Sequence, residues 1–244
     1  MLPGLVLHAF ESGDVSRLAA HIERSPERQF TTLDCHDGIP VRPDLEGILH
    51  PAEMLRLADL VLARGGNVNR ILSDTHADGL DVHQLNCTYY SAIGEDDDRY
   101  VAARAIQLFA RGVPQLYYAG LLAGINDHEA VKRTGEGRAV NRHDYTIAEI
   151  HGALERPVVR RILDLVRLRA THAAFGGRLA VETPDTTSIR LSWSAGKDTC
   201  ALEVDLTDGS TRVMTGERAV LPRFRTRERS PRAGRASPRS HPRQ

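Results

Sequence analysis

Only three cysteines, Cys35, Cys87 and Cys200, occur in 244 residues, and none stands in a CxxC pair. That spacing argues against a thiolate metal site, and the odd count suits a reducing cytoplasm. No apolar run approaches the roughly 18 residues that a membrane-spanning helix needs. Residues 1–10 are apolar but carry no basic leader or small-residue cleavage site, and Glu11 and Asp14 follow at once, so no secretory signal is expected. Net charge is absent as well, with 32 Lys and Arg against 32 Asp and Glu. The balance is uneven: eight arginines against Glu228 give residues 222–244 a charge of +7, which leaves −7 for residues 1–221. An acidic body argues against nucleic acid as the main partner. No internal repeat is visible.

The chain is long enough to bury a sizeable core, and its 41% hydrophobic content is ordinary for a globular protein. Residues 2–10 read as a buried strand or the first turns of a helix. A helix is expected over 14–24, capped by Asp14, with Val15, Leu18, Ala19 and Ile22 on one face. A short buried strand is expected over 29–34. Pro51 opens a second helix over 51–64, which Gly65-Gly66 ends. Residues 68–73 read as strand and 75–79 as polar loop. Asp96, Asp97 and Asp98 precede an apolar helix over 99–110, where capping explains them better than metal binding. After Gly112-Val113-Pro114 a strand is expected over 115–119, then polar loop over 126–145 and an amphipathic helix over 157–169. Beyond Gly176-Gly177 the pattern becomes short alternating strands at 179–183, 188–193, 199–206 and 210–215, the signature of a small antiparallel unit. Residues 222–244, rich in Arg, Pro and Ser, are expected to be disordered.

The fold class expected from this order is α/β, the C-terminal part of a (β/α)8 TIM barrel with a loop-rich insert, followed by a small antiparallel β domain. The boundaries are 1–38 for a barrel segment, 39–87 for the inserted subdomain, 88–175 for a second barrel segment, 176–221 for the β domain and 222–244 for the tail. Two or three barrel strands are too few to close a barrel of eight. Exposed edges and apolar faces then predict aggregation of the isolated chain.

The most informative stretch runs Phe30-Thr31-Thr32-Leu33-Asp34-Cys35-His36-Asp37-Gly38-Ile39. It delivers a His-Asp pair to a loop at the end of a strand, where barrel enzymes place their catalytic groups. On its own such a pair is more often a structural hydrogen bond than a site. Tyr89, Tyr90, Tyr117 and Tyr118 suggest a sugar-stacking wall, but core packing explains them better.

Four strings together carry a family likeness. Thr31-Thr32-Leu33-Asp34-Cys35-His36-Asp37-Gly38-Ile39 resembles the seventh-strand motif of the α-amylase superfamily, in the form used by sucrose phosphorylases, and residues 80–94, 112–121 and 136–143 are similar to further strings of that branch, in the same order. The resemblance runs loosely from residue 2 to 215 and excludes the basic tail. It implies a retaining glucosyl transfer, in which sucrose or a related α-glucoside and phosphate give glucose 1-phosphate through a β-glucosyl-enzyme, with paired carboxylates doing the work. It makes Asp37 the transition-state stabiliser, His36 its sugar-binding neighbour and Arg142 the clamp on the far glucose hydroxyls. Asp81, His83 and Gln84 fall on an acceptor-facing loop. His83 replaces the tyrosine usual in plain sucrose phosphorylases, which points to charged aglycones and keeps sucrose 6-phosphate and glucosylglycerate phosphorylases as alternatives, beside a non-catalytic sugar-binding half-barrel. The resemblance implies no cofactor and no metal, a cytoplasmic enzyme, sugar and phosphate as small-molecule partners, no nucleic acid or membrane, and a homodimer as one state open to the full-length form.

The family's nucleophile, in a Gly-x-Arg-x-Asp string, and its acid/base Glu are absent from this chain. The chain is therefore expected to begin near the sixth strand and to be inactive alone. The basic tail reads as out-of-frame translation of GC-rich DNA.

Overall fold

The computed structural model describes residues 1–41, 44–70, 82–216 and 218–221. Helix α1 (Leu2–Ser12) settles the first ambiguity: Pro3 sits in its first turn, and Gly13, at φ 70°, ends it in the left-handed region that glycine tolerates. Helix α2 (Ser16–Arg24) starts two residues later than expected, because Asp14 Oδ1 accepts the Ser16 N–H at 2.8 Å from just outside the first turn.

Strand β1 (Phe30–Thr31) is much shorter than the run expected over 29–34. The Thr32 hydroxyl donates to the Asp34 carbonyl at 2.6 Å and accepts the Asp34 N–H at 3.3 Å. That local turn competes with the ladder and wins. Strand β2 (Ile39–Pro40), helix α3 (Pro51–Ala63), strand β3 (Asn67–Arg70) and strand β4 (Val82–Asn86) follow, and the strands form an antiparallel sheet in the order β2-β4-β3. A capping box fixes the start of α3, with His50 accepting from Ala52 and Glu53 returning to the His50 N–H. The loop expected over 75–79 lies outside the described residues.

Helix α4 (Tyr89–Ala92) is one turn, and helix α5 (Asp97–Phe109) is buried almost all round, as a central helix must be. Asp96 Oδ1 caps α5 by accepting the Asp98 and Arg99 N–H groups. Strand β5 (Val113–Pro114) pairs with β1 in parallel. The strand expected over 115–119 is absent: Gln115 N–H still reaches Thr31 O at 2.8 Å, and then helix α6 (Tyr118–Leu121) begins.

The polar stretch 126–145 is not all loop. It holds helix α7 (His128–Thr134), capped by Asp127 and closed by Gly135 at φ 72°, and a 3₁₀ turn over Gly137–Asn141. Helix α8 (Ile147–Glu155), started by a Thr146/Glu149 capping box, precedes α9 (Pro157–Thr171). A 3₁₀ turn (Ala173–Gly176) leads into the antiparallel sheet β6 (Arg178–Glu182), β7 (Ser188–Ala195), β8 (Asp198–Asp205), β9 (Thr211–Thr215) and β10 (Arg218–Leu221). Its registers place Ile189, Leu191 and Trp193 of β7 with Leu202 and Val204 of β8 on the buried face. The Trp193 indole donates to Phe109 O at 2.7 Å, tying this sheet to α5.

Phe30 and Val113, at 75% and 59% exposure, stand uncovered on the parallel pair. Cys87 and Cys200 are buried, and burial pushes their thiols up to about 12 and about 11. Among the described residues no helix is long and apolar enough to cross a membrane.

Three helices meet at Glu53 of α3. Arg17 of α2 donates to Glu53 Oε1 at 2.6 Å, His8 of α1 lies 3.2 Å away, and the His50 N–H donates to Oε2 at 2.8 Å. Burial alone would raise this carboxyl, but these donors outweigh it and hold it at about 2 against an ordinary 4.5. A carboxylate depressed in the folded state adds stability above its unfolded value and loses it as pH falls through the folded one. We expect Glu53→Gln to cost about 2–3 kcal/mol at pH 7, scaled down because Arg17 is partly exposed. The cost should shrink between pH 4.5 and about 2. Urea unfolding of both forms across that range checks it; a pH-independent difference would show that the tie does not act through charge.

Candidate functional site

The loop after β1 is held from three sides. Its turn closes on Gly38, whose N–H donates to Cys35 O at 3.2 Å with φ at 98°. A side chain there would run into the Leu85 carbonyl of β4, so only glycine fits. Cys35 Sγ accepts the Asp37 N–H at 3.4 Å, and Asn86 at the end of β4 donates to the Asp37 carbonyl at 2.8 Å. From the 3₁₀ turn, Asn141 donates to Cys35 O at 3.0 Å.

With its backbone fixed, Asp37 presents a carboxylate that is 32% exposed. Arg138 reaches Oδ1 at 3.1 Å, Arg142 reaches the same oxygen at 3.4 Å, and His36 Nε2 lies 3.2 Å from Oδ2. The Arg142 Nε–H also donates to the His36 carbonyl at 2.9 Å. The Tyr117 and Tyr118 hydroxyls donate to the carbonyls of Asn141 and His143, so both tyrosines support the arginine turn. Partly exposed ion pairs of this kind are worth about 0–1 kcal/mol each. They orient the carboxylate and add little to stability.

Of the residues picked out in the sequence, the structure brings His36, Asp37 and Arg142 into one cluster. His83 is exposed and Gln84 half-buried on β4, three and two residues before Asn86. At about 3.3 Å per residue this places His83 roughly 10 Å along the strand from that anchor. Asp81 lies outside the described residues. Tyr89 and Tyr90 are buried, with hydroxyls on Pro3 O and Asp97 Oδ1, and do not form a wall. Arg138, on the 3₁₀ turn, joins Arg142 at the carboxylate only because Arg142 leaves that turn with non-helical backbone, at φ −127°, so its role does not show in the spacing.

Among the described residues, Cys35, His36 and Asp37 offer three donor atoms within 4.8 Å of one another. Two guanidinium groups already occupy the carboxylate. A divalent cation there would meet like charge, so this donor set does not fit a metal.

His143 turns to other partners. Its Nδ1 is 2.5 Å from Asp127 Oδ2 and its Nε2 is 3.3 Å from Glu149 Oε1. The Asp127 hydrogen bond raises the imidazole above its ordinary value, although burial opposes this. His143 also lines a cavity of 740 Å³, together with Tyr90, Asn126, Tyr145, Glu149 and Arg156. Asp37 is not among the residues lining it.

The chain is 47% identical over 208 residues to the sucrose 6(F)-phosphate phosphorylase of Thermoanaerobacterium thermosaccharolyticum, an alignment covering 84% of this chain and 43% of that protein. A sucrose phosphorylase of Agrobacterium vitis is 44% identical, over 87% of this chain and 45% of the relative. The crystal structure of a sucrose 6F-phosphate phosphorylase from Thermoanaerobacter thermosaccharolyticum superposes with a TM-score of 0.88 at 43% identity, over 92% of this chain and 46% of that one. No family model matches the chain. The chain belongs to the sucrose phosphorylase branch of the α-amylase superfamily.

Membership accounts for the mixed α/β fold with its antiparallel sheet, and the family is one of disaccharide phosphorylases. The chain spans about half the length of the curated relatives it matches.

Proposed function

We propose that this chain carries the glucose-holding part of a phosphorylase site of the sucrose phosphorylase type. The observation that supports it best is the Asp37 carboxylate: backbone-pinned, half-exposed, and flanked by His36 and Arg142. In a retaining transfer the glucosyl ring passes through an oxocarbenium-like transition state twice, once to form a covalent glucosyl-enzyme and once to release it to phosphate. Asp37 accepts hydrogen bonds from ring hydroxyls and opposes the developing positive charge. His36 and Arg142 hold hydroxyls around it. A carboxylate in this role neither attacks carbon nor donates the proton, so attack and leaving-group protonation need groups that residues 1–244 do not supply.

In this reading β1 and β5 are neighbouring barrel strands, the β2-β4-β3 sheet with α3 is the insert of residues 39–87, and β6 to β10 form the C-terminal β domain of residues 176–221. The exposed imidazole of His83 faces the acceptor side and favours a leaving sugar that bears a negative charge, such as a phosphorylated fructose. The working form is a cytoplasmic enzyme for sugar and phosphate, with a homodimer as its assembly.

The test uses two proteins. Assayed alone with sucrose or sucrose 6-phosphate plus phosphate, the 244-residue chain is expected to give no glucose 1-phosphate, since loss of a covalent nucleophile costs many orders of magnitude. A chimera in which the unmatched part of the Thermoanaerobacterium enzyme is joined to this chain is expected to form it. Turnover by the chain alone, or a folded chimera that is inert, would overturn the reading.

A further inference from the structure

We propose that His143 is a positioning residue for Arg142, holding the arginine's backbone by bridging the N-termini of two helices. The proposal rests on the reading of Arg142 as a sugar clamp only for its functional meaning; the geometry stands by itself. Both carboxylates that hold the imidazole also cap a helix. Asp127 gives one oxygen to His143 and the other to the Ala130 N–H, which starts α7. Glu149 gives one oxygen to His143 and the other to the Thr146 N–H and hydroxyl, which start α8. Each acid is already fixed by its helix before it meets the histidine, and helix N-termini favour such acids. The imidazole is thereby locked at both ring nitrogens, which favours its doubly protonated form.

The surroundings complete the frame. The Asp127 N–H donates to Val140 O at 2.8 Å, and the Tyr118 hydroxyl donates to His143 O at 2.9 Å. The Tyr145 ring packs edge-on at 4.5 Å. Arg142 is itself held by its backbone N–H on Ala139 O at 3.1 Å, while its half-exposed side chain reaches Asp37 and the His36 carbonyl. A long flexible arginine keeps one direction only if its Cα is fixed; Asn141 ties the chain before it to Cys35 O and the Tyr117 hydroxyl, and His143 ties the chain after it to two helix caps. Consecutive residues thus divide the labour: Arg142 faces the Asp37 loop, and His143 holds the turn to α7 and α8.

A histidine that merely satisfied two helix caps would leave Arg142 untouched, and the experiment separates the two. In the ¹⁵N-labelled full chain, the Nε–H signals of Arg142 and Arg104 and the indole N–H of Trp193 are followed by NMR. In His143→Ala, the Arg142 Nε–H is expected to exchange with water at least tenfold faster, while Arg104 and Trp193 do not change. His143→Gln keeps one side-chain donor for Asp127 and should restore part of the protection; it also serves as the reader if the alanine form does not fold. An unchanged Arg142 signal in the folded variants, or loss of all three signals together in His143→Gln, would overturn the proposal. Glucose titration of the same samples addresses the sugar reading separately. Glucose shifts at Asp37 that disappear in Arg142→Gln would support that reading. Glucose that leaves the unaltered chain unshifted would count against the sugar reading, with the positioning result intact.

Discussion

Arg104→Met is expected to destabilise the chain by about 3–5 kcal/mol, a large share of the roughly 5–15 kcal/mol that holds a typical domain together. Arg104 lies in the middle of α5 with no exposed side-chain surface. Its guanidinium donates to Asp34 Oδ2 at 2.5 Å, Gln107 Oε1 at 2.9 Å and the Tyr100 hydroxyl at 2.7 Å. Burial would push this group towards neutrality, but Asp34 and Tyr100 outweigh it and keep it charged. Removing the arginine strands an Asp34 side chain that is only 3% exposed and whose second oxygen already lacks a partner. That uncompensated charge is the main cost, more than the lost contacts. The double variant Arg104→Met with Asp34→Leu removes both charges and should recover most of the loss. Arg104→Lys should not, since a single ammonium cannot replace the forked donors. Urea unfolding followed by Trp193 fluorescence provides the measurement. A single variant within 1 kcal/mol of the original chain would mean that the buried pair does not hold the fold.

The same pair shows where sequence reading stops. The strands of the C-terminal sheet alternate cleanly, and Ile189, Leu191 and Trp193 face inward as their spacing predicts. Helices α3, α5 and α9 announce themselves through Pro51, the acids before Arg99 and the spacing of Val158, Ile162 and Leu165. Arg104 gives no such sign. An arginine in an apolar helix looks like a surface residue until its partner, 70 positions away, is brought beneath it. Helix α7 does carry its signals within the polar stretch: Asp127 and Gly135 bracket it as N-cap and left-handed C-cap. The truncation of β1 was not legible, because one threonine hydroxyl chose a local turn over the ladder. For the site, the motif named His36, Asp37 and Arg142, whereas Arg138, Asn86 and Asn141 emerged only from the folded chain. The backbone atoms that Asn86 and Asn141 grip leave no trace in residue type.

Asp37→Asn, made in the chimera that restores the missing groups, is expected to lower kcat by a few hundred-fold and to change KM much less. Asparagine keeps the size of the side chain and one oxygen for Arg138 and Arg142, so the loop held by Gly38 and Asn86 should stay in place. On the proposed reading, what disappears is a full negative charge close to the anomeric carbon. A unit charge at about 5 Å in an effective dielectric of about 20 contributes about 3 kcal/mol, roughly 300-fold in rate. The glucose ring becomes cationic only in the transition state, and an interaction made mainly there appears in kcat and leaves ground-state binding nearly intact. On the proposed reading, Arg142→Gln removes charged donors that hold the glucose hydroxyls in ground and transition state alike, so its loss should fall mostly on KM. Steady-state phosphorolysis of the three proteins, with Trp193 fluorescence as the check on folding, separates the two patterns. If Asp37→Asn cost less than tenfold in kcat, or acted on KM alone, the carboxylate would be a substrate tether and the charge argument would fail; a drop confined to kcat would tie the exposed aspartate beside His36 to the chemical step itself.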